Sequence, residues 1–214
     1  MTKPPDSPPA KKTKAAFSRR GFIKGASLAG GALSTGILET PAEAAKAAGN
    51  AVGPSAVSIS LKINGKPVPL TVEPRTTLID AMRNQLNLTG AKRVCDRATC
   101  GACTAIIDGK AVYSCNVLAI DAQGKNIETI EGFTSDTKMH PVSAAFVQHD
   151  GQQCGYCTPG FVVAAKNFLD RHPNPTYEEV EQGLGGNLCR CGTYVGVRAA
   201  VLEAAKNMKG GSHA

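Results

Sequence analysis

The eight cysteines constrain this 214-residue chain most, because they form two groups of four with short and different spacings. The first quartet has the spacing C-x4-C-x2-C-x11-C and consists of Cys95, Cys100, Cys103 and Cys115. The second quartet has the spacing C-x2-C-x31-C-x-C and consists of Cys154, Cys157, Cys189 and Cys191. Four thiolates make one ligand set for an iron–sulfur cluster, and the first quartet begins with the plant-type [2Fe–2S] spacing. The pattern therefore predicts two clusters and an electron-transfer protein.

The local sequence around the first quartet fits a loop that wraps a cluster. The segment VCDRATCGACT contains small and polar residues, and Gly101 lets the backbone adopt positive φ and approach closely. Backbone N–H groups of such a loop can form an anion-binding concavity around sulfur. Cys115 follows a predicted hairpin with an Asp108-Gly109 turn, which can return the fourth thiol to the loop.

The second quartet is predicted to lie at the starts of two helices. The segments QCGYCTPGF and NLCRCGTYVGV each open a stretch with helical apolar periodicity. We expect Thr158 to cap the first of these helices, with Pro159 at its first position. The free N–H donors and positive dipole of a helix start favour a negatively charged cluster.

Three other uses of the cysteines are open on spacing alone. Disulfides are usual in exported proteins, but closing a bridge within Cys189-Arg190-Cys191 is strained. Structural zinc uses C-x2-C pairs, yet C-x4-C-x2-C and C-x-C suit it poorly. A thioredoxin-like pair at Cys154 and Cys157 would need a βαβ pattern, which the surrounding sequence lacks. Two iron–sulfur clusters are the favoured interpretation.

The N-terminal 44 residues are predicted to be an export leader. The segment SRRGFIK contains the twin-arginine pair Arg19 and Arg20, and the apolar run after it is too short and glycine-rich to stay in a membrane. An A-x-A motif predicts cleavage after Ala44, followed by a linker at 45–56; the alternative is a chance arginine pair in a tail. Because twin-arginine export carries folded proteins, we expect a periplasmic protein whose clusters are inserted before export.

The charge of the chain argues against nucleic acid as a partner. The whole chain carries +7, and subtracting the leader's +4 leaves +3 for the remainder. Lys92, Arg93 and Arg97 lie beside the first quartet, where they form either a steering patch for an acidic redox partner or an ordinary solvated surface. We expect no permanent membrane anchor.

The remaining residues predict an α+β protein with two small domains. Alternation from Val57 to Val72 around an Asn64-Gly65 turn predicts a hairpin, and Thr76 or Thr77 is expected to cap the helix that follows. This domain, at 57–132, ends with a strand in the segment NIETI. Four helices are predicted in the second domain, at 133–209, one of them with a capping box. They lie in HPVSAAFVQHD, TPGFVVAAKNFLDRH, TYEEVEQGL and TYVGVRAAVLEAAKNM, and a short tail occupies 210–214.

The order of these parts resembles the small iron–sulfur subunit of the molybdenum hydroxylases, which include xanthine dehydrogenase, aldehyde oxidoreductase and carbon monoxide dehydrogenase. The resemblance covers nearly all of residues 57–208. It rests on CGACT, IEG, HPVSAAF, QCGYCTPG and GNLCRCG, and with the leader it points to the subunit of periplasmic aldehyde oxidoreductases. It implies an N-terminal plant-type ferredoxin-like β-grasp domain followed by a small four-helix bundle.

The resemblance also implies roles for individual residues. The second quartet would lie nearer a molybdopterin cofactor held by a separate large subunit, and the first nearer an FAD-binding subunit or an outer acceptor. Gln153 matches the glutamine that hydrogen-bonds the pterin, and Cys191 the cysteine close to it; the alternative for Gln153 is an ordinary polar surface residue. Val94 and Ala98 occupy positions where the family usually has glycine.

The function implied is an electron relay between two [2Fe–2S] clusters. A partner subunit would oxidise an aldehyde to a carboxylic acid, and this chain would pass the electrons to flavin or to an external acceptor. The chain shows no phosphate loop or paired-carboxylate constellation, so we expect no substrate chemistry on it alone. Two further hypotheses are a free ferredoxin-like carrier and a disulfide-stapled exported binding module.

Overall fold

The computed structural model describes residues 53–133 and 139–210. The predicted leader lies outside these ranges, as do most of the linker and most of the tail. Within the described ranges, no helix combines the length and apolar character needed to cross a membrane.

The first hairpin forms as predicted. Strand β1 (Val57–Ile63) pairs antiparallel with β2 (Lys66–Val72), in a register that runs from Val57 opposite Val72 to Ile63 opposite Lys66. Asn64 (φ 49°) and Gly65 (φ 79°) both adopt the positive φ that a tight two-residue hairpin turn requires. The inward-facing residues of β1 are buried and supply one side of the core.

Three further strands complete a mixed five-stranded sheet. They are β3 (Thr104–Ile107), β4 (Lys110–Tyr113) and β5 (Asn126–Glu128). The strand order is β2-β1-β5-β3-β4, in which β1 and β5 are parallel and the other pairs antiparallel. Asp108 (φ 47°) and Gly109 (φ 75°) form the predicted β3–β4 turn, so Cys115 follows directly from the second hairpin.

A short helix, α1, packs on the sheet next to the first quartet. It consists of an α-helical turn (Leu78–Asp80) and a π-helical turn (Ala81–Gln85). The Thr77 hydroxyl accepts a hydrogen bond from the backbone N–H of Asp80 at 3.3 Å, which confirms the predicted cap. The side chains of Leu78 and Met82 are fully buried against the sheet.

Helices occupy all four segments predicted after the sheet. They are α2 (Pro141–Gln148), α3 (Thr158–Arg171), α4 (Tyr177–Gly183) and α5 (Tyr194–Gly210). Thr176 and Glu179 form the predicted capping box at the start of α4. Helix α5 contacts the other three helices, and Phe146, Phe161 and Val201 lie in their shared core. The chain is therefore α+β, as predicted.

Helix α3 joins the helical part to the sheet by packing against β3 and β4. Asn167, a buried residue of α3, donates from Nδ2 to the carbonyl oxygen of Gly109 at 2.8 Å. Its Oδ1 accepts from the backbone N–H of Ala111 at 3.2 Å. Both polar ends of the amide are thus satisfied, as a buried polar side chain requires.

Candidate metal centres

The four thiols of the first quartet lie in two contacting pairs. Cys95 is within hydrogen-bonding contact of Cys100, and Cys103 is within hydrogen-bonding contact of Cys115. Cys103 and Cys115 are buried against Ile79 of α1, whereas Cys95 and Cys100 are partly exposed. The loop and the second hairpin therefore bring all four predicted ligands together.

The backbone of the first-quartet loop directs N–H groups at sulfur. The N–H of Ala98 donates to Cys115 Sγ at 3.3 Å, and the N–H of Thr99 donates to Cys95 Sγ at 3.4 Å. Gly101 has φ 72°, and a Cβ built there would lie 2.6 Å from the side-chain nitrogen Nδ2 of Asn187. Both its conformation and its close neighbour require glycine, as the sequence indicated.

Ala98 and Val94, which replace the family's usual glycines, differ in backbone conformation. Ala98 adopts φ 52°, so a side chain occupies a left-handed position, which costs about 1–2 kcal/mol. Val94 does not adopt positive φ, and its side chain is 55% exposed. Of these two residues, only Ala98 therefore carries backbone strain into the loop.

Hydrogen bonds and burial shift the pKa values of two thiols of the first quartet in opposite directions. Hydrogen bonds to sulfur, the largest from the backbone N–H of Arg97, lower the pKa of Cys95 to about 6. Burial raises the pKa of Cys103 to about 12. Because thiolates are the metal ligands, Cys103 must lose its proton when a metal binds.

The second quartet shows the same pairwise arrangement. Cys154 is within hydrogen-bonding contact of Cys191, and Cys157 of Cys189. Gly155 (φ 79°) follows Cys154 directly, and Gly192 (φ 78°) follows Cys191. Cys154 is exposed and Cys189 is buried, so the site reaches from the helical core to the surface.

A helix begins after Cys157 and another after Cys191, as predicted. The predicted cap of the first of these helices is wrong. Helix α3 begins at Thr158, and Cys157 occupies the N-cap position without a side-chain capping bond. Thr158 is already helical, so its hydroxyl lies one residue too late to cap. The hydroxyl oxygen is buried and has no hydrogen-bond partner in the described part of the chain.

Two residues that the sequence analysis did not single out contact Cys189. The hydroxyl of Thr193 lies 3.1 Å from Cys189 Sγ, and the phenolic oxygen of Tyr194 accepts from the N–H of Cys189 at 2.9 Å. Burial opposes ionisation of Cys189, but hydrogen bonds from the hydroxyl and the N–H of Thr193 lower its pKa to about 7. Burial raises the pKa of Cys157 to about 12. The sequence signal for Thr193 and Tyr194 was only their closeness to Cys189.

The donor set of each quartet fits a two-iron cluster. All eight cysteines are free. Across residues 53–133 and 139–210, no three His, Cys, Asp or Glu side chains are arranged to hold a single metal ion. Two contacting thiol pairs per quartet suit a [2Fe–2S] cluster, in which four cysteines serve two irons. The unpartnered Thr158 hydroxyl beside Cys157 also suits an anionic sulfur acceptor.

Gln153 lies on the surface in the loop before Cys154, and both residues are exposed. The glutamine therefore has access to a partner at this site. Its predicted contact with a pterin stays a prediction.

Two families of domains match the chain in the order of its two quartets. A 2Fe-2S iron-sulfur cluster binding domain matches residues 61–128, which contain the first quartet. A [2Fe-2S] binding domain matches residues 129–202, which contain the second.

Relatives match over most of the described residues. The aldehyde oxidoreductase iron-sulfur-binding subunit PaoA of Escherichia coli O157:H7 is 40% identical over 171 residues, which cover 73% of this chain and 75% of that protein. The nicotine 6-hydroxylase small subunit of Paenarthrobacter nicotinovorans is 45% identical, covering 69% of this chain and 89% of that protein. The crystal structure of aldehyde oxidoreductase from Desulfovibrio desulfuricans superimposes with a TM-score of 0.69 at 39% identity, covering 72% of this chain and 17% of that one. The chain belongs to the [2Fe–2S] electron-transfer subunits of the molybdenum hydroxylases.

Proposed function

We propose that the eight cysteines hold two [2Fe–2S] clusters, through which single electrons pass from a molybdopterin site on a partner subunit to flavin or an external acceptor. The observation that carries this proposal is the arrangement of the thiols, with two contacting pairs in each quartet. When bound, each cluster supplies one-electron redox chemistry, and its potential depends on hydrogen bonds to sulfur and on exposure.

The protein part holds the ligands and stabilises their negative charge. N–H groups of Ala98 and Thr99 donate to sulfur in the first site, and the Thr193 hydroxyl lies against Cys189 in the second. These donors disperse charge on the thiolates, as surrounding groups do in other metal sites. The buried Cys103 and Cys115 limit access of water to the first site.

The surface around the second quartet supports a fixed partner. Tyr156, Leu188 and Val195 are apolar or aromatic and are 52%, 49% and 73% exposed. Contiguous exposed apolar patches mark surfaces that other proteins cover, and each of these side chains is within four residues of a cysteine of the second quartet. We propose that the large molybdopterin-binding subunit covers it, with Gln153 and Cys191 facing the pterin. The FAD-binding subunit would lie at the first quartet.

The identity of the substrate rests with the partner subunit. The relatives include subunits of an aldehyde oxidoreductase and of a nicotine 6-hydroxylase, so closely similar chains serve different substrates. We propose oxidation of an aldehyde to a carboxylic acid because one relative is an aldehyde oxidoreductase subunit and because the predicted leader at 1–44 would direct this chain to the periplasm. The leader would deliver the folded chain by the twin-arginine route.

We also propose the finer description of the fold. The sheet and α1 would form a β-grasp domain at 57–132, and the four later helices a small four-helix bundle at 133–209. The boundary is supported by the matched domain families, which divide the chain between residues 128 and 129.

The second candidate function is a free ferredoxin-like electron carrier. The exposed apolar residues around the second quartet favour the fixed partner, because a free carrier has to keep that surface in water. A disulfide-stapled binding module is not favoured, because each quartet lies within a stretch that matches a [2Fe-2S] domain family.

Purification of the natively expressed complex tests the assignment of the partner. We expect molybdenum and a large subunit to accompany the chain, and the isolated polypeptide to turn over no aldehyde. Val195→Glu should release the large subunit while iron stays bound, because it places a charge in the proposed interface. Val94→Glu, at another exposed valine that lies beside the first quartet, is the control and should keep the large subunit. Equal retention by both variants would contradict the proposed surface.

A further inference from the structure

The three residues that precede Cys189 form hydrogen bonds to the first-quartet loop or to strand β4; we name residues 186–188 the bridge segment. The N–H of Leu188 donates to the carbonyl oxygen of Cys100 at 2.9 Å. The side chain of Asn187 donates to the carbonyl oxygen of Gly101 at 3.0 Å. The hydroxyl of Tyr113 donates to the carbonyl oxygen of Gly186 at 2.7 Å. Every residue of the bridge segment is therefore tied to the first quartet's surroundings.

Asn187 is the buried centre of this connection. Its side chain is almost fully enclosed, and Nδ2 also lies 3.3 Å from the hydroxyl of the buried Thr104. The carbonyl oxygen of Gly101 accepts from Asn187, from the Thr104 hydroxyl at 2.6 Å and from the Thr104 N–H at 3.1 Å. Breaking one member of such a buried network leaves other polar groups unpaired, which is costly.

Two glycines show how closely the loops approach at this point. A Cβ at Gly101 would lie 2.6 Å from Nδ2 and 2.7 Å from Cγ of Asn187. A Cβ at Gly160, in the first turn of α3, would lie 2.4 Å from the carbonyl oxygen of Gly101 and 2.9 Å from Cα of Ala102. The start of α3 thus lies directly against the backbone of the first-quartet loop, and Asn187 fills the space next to Gly101.

We infer that Asn187 is a positioning residue that fixes the electron route between the two quartets. Leu188 is bonded to Cys189, so one hydrogen bond, from the Leu188 N–H to the Cys100 carbonyl, joins a ligand residue of each quartet. Asn187 holds the neighbouring residues on both sides of that bond in register. An electron that passes along it leaves one site oxidised and the other reduced, with no bond broken and no proton released.

This inference rests on the proposed assignment of the cysteines as cluster ligands. A purely structural role for Asn187 would affect stability without altering how the sites interact. Asn167 provides the matched control, because it is also a buried asparagine with two hydrogen bonds to the β3–β4 hairpin, at Gly109 and Ala111. Those bonds involve neither cysteine quartet.

The experiment compares Asn187→Ala and Asn167→Ala in the purified native complex. Electron paramagnetic resonance of the fully reduced complex measures the splitting that each metal site imposes on the other. Rapid partial reduction then measures the rate at which the electron redistributes between them. We expect Asn187→Ala to lose or broaden the splitting and to slow the redistribution, and Asn167→Ala to match the wild type in both while losing stability.

Each outcome separates the inference from the proposed function. A wild-type complex without iron would overturn the ligand assignment itself. Two intact sites in Asn187→Ala, with wild-type splitting and rate, would overturn the positioning role alone. If Asn187→Ala does not retain both clusters, Tyr113→Phe provides the test. This variant removes only the hydrogen bond to Gly186, which holds the bridge segment next to Asn187. A slower redistribution supports the inference, and an unchanged one contradicts it.

Discussion

Gly160→Ala probes the contact on which the relative placement of the two quartets depends. Gly160 lies in the first turn of α3, three residues after Cys157, and faces the loop that contains Gly101 and Ala102. The new methyl group would lie 2.4 Å from the Gly101 carbonyl oxygen, so the helix and the loop would have to separate by about 1 Å to reach an ordinary contact distance.

The expected cost follows from two opposing effects. Overpacking of this kind destabilises proteins by about 1–3 kcal/mol, and the higher helix propensity of alanine returns at most about 1 kcal/mol. The clash is with backbone atoms, which cannot move aside as a flexible side chain can, so we take the upper part of this range, about 2–3 kcal/mol. The net loss is then about 1–2 kcal/mol, which corresponds to a factor of about 5–30 in an equilibrium between folded and unfolded chains. The separation also stretches the hydrogen bond from Leu188 to Cys100.

The assay is the rate at which the visible absorption of the clusters is lost in guanidinium chloride, because unfolding with loss of a metal group is irreversible. We expect Gly160→Ala to lose its clusters several-fold faster than the wild type. Gly185→Ala is the control, since a Cβ there meets nothing closer than the Gln182 carbonyl oxygen at 3.4 Å; it should stay within about 0.5 kcal/mol of the wild type. Indistinguishable rates for the two variants would refute the argument from close packing.

Three further predictions concern the ligands and their loop. Ala98→Gly should slow iron release from the first site, because it relieves up to about 1 kcal/mol of left-handed strain after the entropy cost of glycine is subtracted. Val94→Gly should hasten iron release, because it only adds conformational freedom to the unfolded chain. Similar effects of the two variants in an iron-release assay would contradict the assignment of strain to Ala98. Cys191→Ser should remove the magnetic resonance signal of the second site and leave that of the first, and loss of both signals would show that the sites are not independent. Cluster assembly into the metal-free chain should release protons and become faster from about pH 7 to about pH 9. The reason is that the pKa of Cys103 and that of Cys157 are each raised to about 12, so the thiolate fraction of both grows with pH. A pH-independent rate without proton release would contradict this.

Local sequence signals predicted the parts of the fold that depend on neighbouring residues. The Asn-Gly and Asp-Gly turns, the alternation in β1 and the capping box of α4 each arise from contacts a few residues apart. The π-helical turn at Ala81–Gln85 was not predicted, because the apolar spacing along that segment is compatible with an ordinary helix. The cap at Thr158 was wrong because the helix starts one residue earlier than the proline pattern indicated.

The candidate sites show the same division between local and long-range signals. The spacing of the cysteines predicted the two quartets, and the family's glycine pattern marked Ala98 and Val94 as unusual. Only the folded backbone distinguishes the strained Ala98 from the unstrained Val94. Asn187 could not be predicted, because its partner Gly101 is 86 residues away and the contact arises only when the helices pack on the sheet.

The central claim is that all eight thiols bind iron in two separate clusters. Electron paramagnetic resonance of the reduced native complex, combined with assays of iron and acid-labile sulfide, tests it most directly. We expect two distinct [2Fe–2S] signals, with iron and sulfide present in equal amounts. A colourless, iron-free preparation whose cysteines are joined to one another as disulfides would contradict it.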